Sequence, residues 1–111
     1  MEAKDLTDLV HFSPEEPATR DLFETPRLWA QILCLERNQQ HGPVADQRAD
    51  GLFVILAGEV VVQVGRGRKR LRQWGSTVAA AGSEVTLTNA SADPAVVLVV
   101  TAPPPGRPAE G

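Results

Sequence analysis

The chain of 111 residues is short of several residue types, and each shortage excludes a class of protein. With one cysteine, Cys34, it can form neither an internal disulfide nor a cysteine-rich zinc site. Its two histidines, without a nucleophile-elbow motif, give no Ser-His-Asp constellation. No apolar run approaches the roughly 18 residues of a membrane span. The 11 basic residues are outnumbered by 14 acidic ones, and the net charge of −3 argues against a dedicated nucleic-acid binder.

What remains is the composition of one globular domain. Apolar residues make up 42% of the chain and charged residues 23%, which is enough apolar surface for a core and too little charge for a disordered chain. A chain of 11.9 kDa has room for one core. The N-terminus is polar and acidic, not basic and then apolar as in a signal peptide, so we expect a soluble, cytoplasmic protein.

Short, valine-rich apolar runs separated by glycines and turn residues predict an all-β fold. Seven runs are long enough for a strand, at residues 28–36, 52–57, 60–64, 69–74, 77–80, 84–88 and 95–101. No stretch of about 11 or more residues repeats apolar residues at helical spacing, so we expect little or no helix. Seven or eight antiparallel strands without helices are typical of a sandwich or barrel.

The two ends of the chain differ from this middle part. Residues 1–8 are polar, and we expect a loose N-terminal segment. Residues 102–111 are rich in proline, which cannot donate to a strand ladder, so they are predicted to form a tail. The predicted barrel domain therefore spans residues 9–101.

Two glycine-spaced motifs run through the predicted strands. The first has the form Gly, five residues, His-X-His, three or four residues, Glu, six residues, Gly. If Gly58 is its last glycine, Gly51 takes the glutamate position and Asn38 takes the opening glycine position. Val44 and Asp46 then take the two histidine positions. The spacing of the motif is kept, but other residues stand at its two histidine positions and at its glutamate position.

The second motif has the form Gly, about five residues, Pro-X-Gly, two residues, His, three residues, Asn. Gly75, Gly82 and Asn89 fit it, with a gap one residue shorter before the proline position. Ala80 stands at that proline position, and Val85 stands at the histidine position. The spacing from Gly82 to Asn89 is intact.

With these two frames and the strand order, residues 9 to 104 resemble the small single-domain members of the cupin superfamily. The resemblance implies a jelly-roll β-barrel of antiparallel strands and a homodimer. It implies that Gly58, Gly75, Gly82 and Asn89 are structural residues of the motifs. In most cupins the same frames supply three histidines and a glutamate to a metal.

This chain lacks those metal ligands. Valine and glycine side chains have no lone pair to donate, and Asp46 alone supplies too few oxygens to retain a metal. We therefore predict no metal and no other cofactor. His41 precedes Val44 by three residues, so on a regular strand it faces the opposite side, and only a bulge turns it inward. We expect His41 to be a solvated loop residue beside Gly42 and Pro43.

The resemblance and the two-residue alternation of strands together predict a mostly apolar pocket where the metal would lie. The residues predicted to face it are Val44, Asp46, Gly51, Phe53, Ile55, Val85 and Leu87. Asp46 has two possible positions: buried, where Arg48 or a hydrogen-bond donor must compensate its charge, or at the rim as a solvated charge. The polar stretch 46–50 favours the rim.

Three functions stay open. The first is a metal-free barrel that binds a small apolar ligand or has a structural role, without catalysis. The alternative is a cupin-type enzyme, such as a dioxygenase, isomerase or epimerase, with an atypical site around His41 and Asp46. The third is an anion-binding module on the basic cluster from Arg66 to Arg72, for which a solvated hairpin and edge strand is the simpler interpretation.

Three further residues have alternative interpretations. Cys34 lies among apolar residues and is predicted to be a buried strand thiol rather than a nucleophile. Trp29 and Trp74 either line a ligand pocket or pack at a wall or an interface.

Overall fold

A computed structural model of the chain describes residues 1–104. Within this range the chain forms nine β-strands and one 3-10 helix, which confirms the predicted all-β class. The 3-10 helix spans Leu6–Leu9, and the strands are β1 (Ala18–Thr25), β2 (Leu28–Leu35), β3 (Gln40–Val44), β4 (Asp50–Ala57), β5 (Glu59–Val64), β6 (Gly67–Arg72), β7 (Ser76–Ala79), β8 (Val85–Thr88) and β9 (Ala95–Ala102).

The strands form two antiparallel sheets whose inner faces pack against each other. The five-stranded sheet has the order β1-β2-β9-β4-β7, and the four-stranded sheet has the order β3-β8-β5-β6. The core between them takes side chains from both sheets, among them Leu33, Ile55, Val60, Leu87 and Val97. This arrangement is the antiparallel jelly roll that the resemblance implies.

Two strands were not predicted, β1 and β3, and both are edge strands. In β1 only Leu22 is buried, so its apolar content is too low to stand out from a loop. In β3 no residue is fully buried, and Gly42 and Pro43 interrupt it, so it has the composition of a turn. A strand is recognised in the sequence by the apolar residues that it buries, and an edge strand buries few of them.

The N-terminal segment packs on the barrel, whereas the sequence predicted it to be loose. Asp5 caps the 3-10 helix, because its carboxylate accepts a hydrogen bond from the Thr7 amide at 2.9 Å. Leu6, Leu9 and Phe12 then pack on the outer face of the five-stranded sheet. An apolar residue every few positions in an otherwise polar segment is enough to dock it.

Cys34 lies beneath that segment. Its side chain is 1% exposed and faces away from the barrel core, next to Ile32 and Val96. Cys34 is therefore a buried strand thiol, as predicted, and burial raises its pKa, which disfavours the thiolate.

The chain end is described only in part. Strand β9 ends at Ala102, one residue beyond the predicted domain boundary, and residues 105–111 of the predicted tail lie outside the described range. No helix within residues 1–104 is long and apolar enough to cross a membrane. The cytoplasmic location stays a prediction.

Two residues connect the turns on one side of the barrel. Gly58, between β4 and β5, has φ +78°, and a Cβ there would lie 2.5 Å from the Pro94 carbonyl oxygen, so the close approach requires glycine. Asn89 is fully buried, and its amide nitrogen donates to the carbonyl oxygens of Leu35 (3.0 Å) and Asp93 (2.8 Å). Its Oδ1 accepts from the Ser91 amide at 3.0 Å.

We predict that Asn89→Ala destabilises the fold by about 3 kcal/mol, because the buried Leu35 carbonyl oxygen loses the Asn89 donor and the Asp93 carbonyl oxygen keeps only the Ser91 hydroxyl. Ser91→Ala is the matched control: it removes one hydroxyl from the same network, keeps the Asn89 donors, and costs about 1 kcal/mol or less. Urea unfolding of the two variants measures both values. Equal losses for the two variants would contradict the role assigned to Asn89.

Candidate functional site

The barrel contains a partly open cavity of about 400 Å³ between the two sheets. Side chains from β2, β4 and β9 form one wall, and side chains from β3 and β8 form the other. Strands β2, β4, β8 and β9 each continue from the core into the cavity. The cavity is therefore the part of the barrel interior that side chains do not fill.

Five of the seven predicted pocket residues lie on the cavity wall: Val44, Asp46, Gly51, Phe53 and Val85. The other two, Ile55 and Leu87, are fully buried and lie in the core rather than on the wall. Both face the interior as the alternation predicts, but there the two sheets are in contact and leave no space.

His41 is on the cavity wall, so its predicted place in a solvated loop is wrong. His41 pairs with Leu87 and Val44 pairs with Val85, and the register shifts between these two pairs. Two residues of β3 therefore stand opposite one residue of β8, which is a β-bulge. Because paired residues of an antiparallel ladder share a face, the bulge turns His41 to the same side as Val44.

Gly42 makes this bulge possible. Its φ is +95°, in the left-handed region, and a Cβ there would collide with the Val85 carbonyl oxygen on the neighbouring strand. The position therefore requires glycine, and the inward direction of His41 depends on it.

The His41 imidazole is half-buried at the cavity wall. Burial lowers the pKa of His41 from its usual value, so the ring is mainly neutral at pH 7. Within residues 1–104 no group donates to or accepts from its nitrogens. A neutral imidazole in this setting offers one donor and one acceptor to a bound molecule.

Asp46 is half-buried at the edge of the cavity and caps a turn. Its Oδ1 accepts hydrogen bonds from the amides of Arg48 (2.8 Å) and Ala49 (3.1 Å). Its carbonyl oxygen accepts from the Gly82 amide at 2.7 Å. The backbone N–H of Arg48, and not its side chain, thus compensates the charge of the Asp46 carboxylate. The main role of Asp46 is to hold the loops at the cavity edge.

Three further residues of β1 and β2, Thr19, Trp29 and Gln31, lie on the cavity wall. The sequence offered the pocket as one of two positions for Trp29 and gave no indication for Thr19 or Gln31. The Asp21 carboxylate accepts from Trp29 Nε1 at 2.9 Å and from Gln31 Nε2 at 3.4 Å, which orients both side chains. Extending the inward alternation of β2 back from Leu33 would have found Trp29 and Gln31.

The glycine frames have a structural role. Asn38, at the opening glycine position of the first motif, has φ +68°, and asparagine is one of the few residues that tolerate this conformation. Gly82, with φ +88°, lies in the turn between β7 and β8, and Gly75 lies between β6 and β7. The residues at these motif positions form turns between the strands of the barrel.

The residues present do not fit the metal that the resemblance implies. The first-motif positions hold Val44, Asp46 and Gly51, and the Asp46 carboxylate already binds two amides. His41 adds a single imidazole. No group of three His, Cys, Asp or Glu side chains that could hold a metal occurs within residues 1–104. A borderline metal needs more donors than this cavity supplies.

Comparisons with solved structures give similar barrels. The protein TT1209 from Thermus thermophilus is 36% identical, with a TM-score of 0.92 over 95% of this chain and 100% of that one. A conserved Klebsiella pneumoniae protein with a double-stranded β-helix domain is 18% identical, with a TM-score of 0.86 over 93% and 90% of the two chains. An RmlC-like cupin from Desulfovibrio desulfuricans is 20% identical, with a TM-score of 0.81 over 94% and 98%.

No protein-family model and no curated protein matches the sequence. The identity to the Thermus protein extends over nearly the whole of both chains, and the less similar neighbours share the same barrel. The chain therefore belongs to the family of TT1209, and its fold is that of a small single-domain cupin.

Proposed function

We propose that this protein is a metal-free cupin that binds a small molecule in its barrel cavity without catalysing a reaction. The observation that carries the proposal is the cavity of about 400 Å³ with His41 on its wall. The imidazole of His41 is half-buried and has no hydrogen-bond partner among residues 1–104. Ligand sites of proteins are typically concave, largely apolar and about 300–1,000 Å³ in volume. A barrel with a purely structural role has no need of such a cavity.

The wall indicates the chemistry of the ligand. Val44, Phe53, Val85 and Val99 make most of the surface apolar. Because neutral His41 adds one donor and one acceptor, the ligand is a compact, mostly apolar, uncharged molecule with one or two hydrogen-bonding groups. Trp29, held by Asp21, provides a flat surface on which a ring can stack.

We predict that small cyclic alcohols and ketones bind in the cavity. Cyclohexanol and cyclohexanone are suitable probes because each joins an apolar ring to one hydrogen-bonding group. Either probe is expected to shift the amide NMR signals of His41, Val44 and Val85 in a saturable way. It is also expected to change the fluorescence of Trp29 in a Trp74→Phe background, because Trp74 is 73% exposed and does not line the cavity.

Two exposed valines give a matched pair of variants for this experiment. Val44 is 46% exposed and lines the cavity, whereas Val10 is 38% exposed and does not. Val44→Phe fills part of the cavity and is expected to weaken probe binding by about tenfold, whereas Val10→Phe leaves it unchanged. No saturable response to either probe, or equal responses in the two variants, would refute ligand binding at this site.

The second candidate function is a cupin-type enzyme, such as a dioxygenase, isomerase or epimerase. It is favoured by His41, whose free neutral imidazole could accept a proton from a bound substrate. Such an enzyme would use His41 and Asp46, the two titratable side chains at the cavity in the described part of the chain.

Metal content separates the two candidates. In protein purified without a histidine tag, we expect far less than one equivalent of any transition metal, because the cavity supplies too few donors. Elemental analysis by mass spectrometry measures this directly. Near-stoichiometric iron, manganese, nickel or zinc would contradict the metal-free proposal and favour the enzyme.

We also propose that the protein is a homodimer that associates through the outer face of the five-stranded sheet. An apolar row crosses this face from edge to edge, and its register partners are Phe23, Ala30, Val100, Leu52 and Val78. The β1 end of the row is covered, because Ala30 is 5% exposed and the Lys4 ammonium lies 5.3 Å from the Phe23 ring centroid. The other end is open, because Leu52 is 41% exposed and Val78 is 65% exposed. An exposed apolar patch on a sheet face is typical of an association surface.

Sedimentation at micromolar concentration is expected to give twice the chain mass of 11.9 kDa. Val78→Asp places a charge on the row and is expected to raise the dimer dissociation constant by about tenfold or more. Gln63→Asp, on an exposed position of the other sheet, is expected to have no effect. A monomer at this concentration would disprove the dimer.

A further inference from the structure

The basic cluster from Arg66 to Arg72 divides into two parts with different surroundings. Arg70 and Arg72 contact the two carboxylate oxygens of Glu59 at 3.3 and 3.2 Å, so their charges are balanced. The side chains of the other three cations, Arg66, Arg68 and Lys69, make no ion pair or hydrogen bond with any residue in the range 1–104. This second part is positively charged and without a partner among the described residues.

Arg68 and Lys69 lie at a second cavity, which we name the edge cleft. It has a volume of about 320 Å³ and lies between β6 and β7, each of which is the last strand of its sheet. Val62, Val64 and Leu71 form its apolar floor. Because β6 and β7 belong to different sheets and do not pair, the barrel is open along this edge.

Lys69 faces this cleft from the inner side of its sheet. It pairs with Val62, which is 3% exposed and lies in the core, and paired residues share a face. The hydroxyl residues Ser76 and Thr77 line the cleft from the β7 side. As far as residue 104, no aspartate or glutamate contributes to the lining.

We propose that the edge cleft binds a small carboxylic acid with an apolar body. The apolar body would lie on Val62, Val64 and Leu71. The carboxylate would bind the Lys69 ammonium and the hydroxyl of Thr77, which is on the inner face of β7, whereas Ser76 alternates to the outer face. Unpaired positive charge above an apolar floor is complementary to this class of ligand. The cleft differs from the barrel cavity in position and in charge, so it is a second site.

An inward lysine on an edge strand has a competing explanation. Such charges also prevent two sheet edges from pairing with each other. That role requires only the charge of Lys69. It gives no reason for a cavity of about 320 Å³ with an apolar floor beside the lysine.

Octanoate is the test ligand, and assigned amide NMR spectra locate its binding. We expect saturable shifts at Val62, Val64 and Thr77, and weaker binding at higher salt because the head group is charged. Octanol, which lacks the charge, and inorganic phosphate, which lacks the apolar body, are expected to leave these signals unchanged.

The variants separate the Lys69 charge from the charge of the hairpin. Lys69→Gln is expected to weaken octanoate binding by about tenfold or more, the loss typical of a charge-assisted hydrogen bond. Lys69→Arg restores most of the affinity. Arg66→Gln removes an equal charge from the same hairpin outside the cleft and is expected to change affinity by less than about twofold.

Three outcomes would overturn the proposal. In the first, octanoate shifts only barrel-cavity signals such as those of Val44 and Val85. In the second, octanol binds the cleft as tightly as octanoate. In the third, Lys69→Gln promotes self-association while the native protein shows no octanoate response at the cleft, which would leave edge protection as the role of Lys69.

Discussion

The inward alternation of side chains along the strands controls both the core and the cavity of this barrel. In β2 the inward residues pass from Leu35 and Leu33 in the core to Gln31 and Trp29 at the cavity. In β9 the sequence Ala95, Val97, Val99 and Thr101 makes the same transition. The outward residues of these two strands, such as Ile32 and Val96, are apolar as well, because the N-terminal segment packs on them. The direction of each strand therefore depends on its pairing register and not on an apolar pattern alone.

Most of the fold could be predicted from sequence because its central strands are apolar and its turns need special residues. The inward direction of Phe53 and Val85 follows from their place in the glycine frames. The direction of His41 could not be found this way, because it depends on a bulge, and a bulge is a property of the pairing between β3 and β8. The same holds for β1 and for Thr19, since an edge strand with one buried residue has no clear apolar pattern.

The residues at the motif positions line the cavity, and one of them also belongs to the core. Val85 is 4% exposed and packs in the core cluster, so at that position an apolar side chain favours burial. Some polar groups at the cavity are already hydrogen-bonded: Asp46 binds two amides, and Trp29 and Gln31 bind Asp21. The His41 imidazole has no hydrogen-bond partner among residues 1–104, and burial disfavours its charged form.

Gly51, at the glutamate position of the first motif, fits closely against Phe53. A Cβ at this position would lie 3.1 Å from two ring carbons of Phe53, so any larger side chain requires the ring to shift by a few tenths of an ångström. Phe53 is 5% exposed and belongs to the core cluster, so its neighbours must absorb that shift. The residue sizes at positions 51 and 53 are therefore coupled, and the effects of substitutions at the two positions on stability do not add.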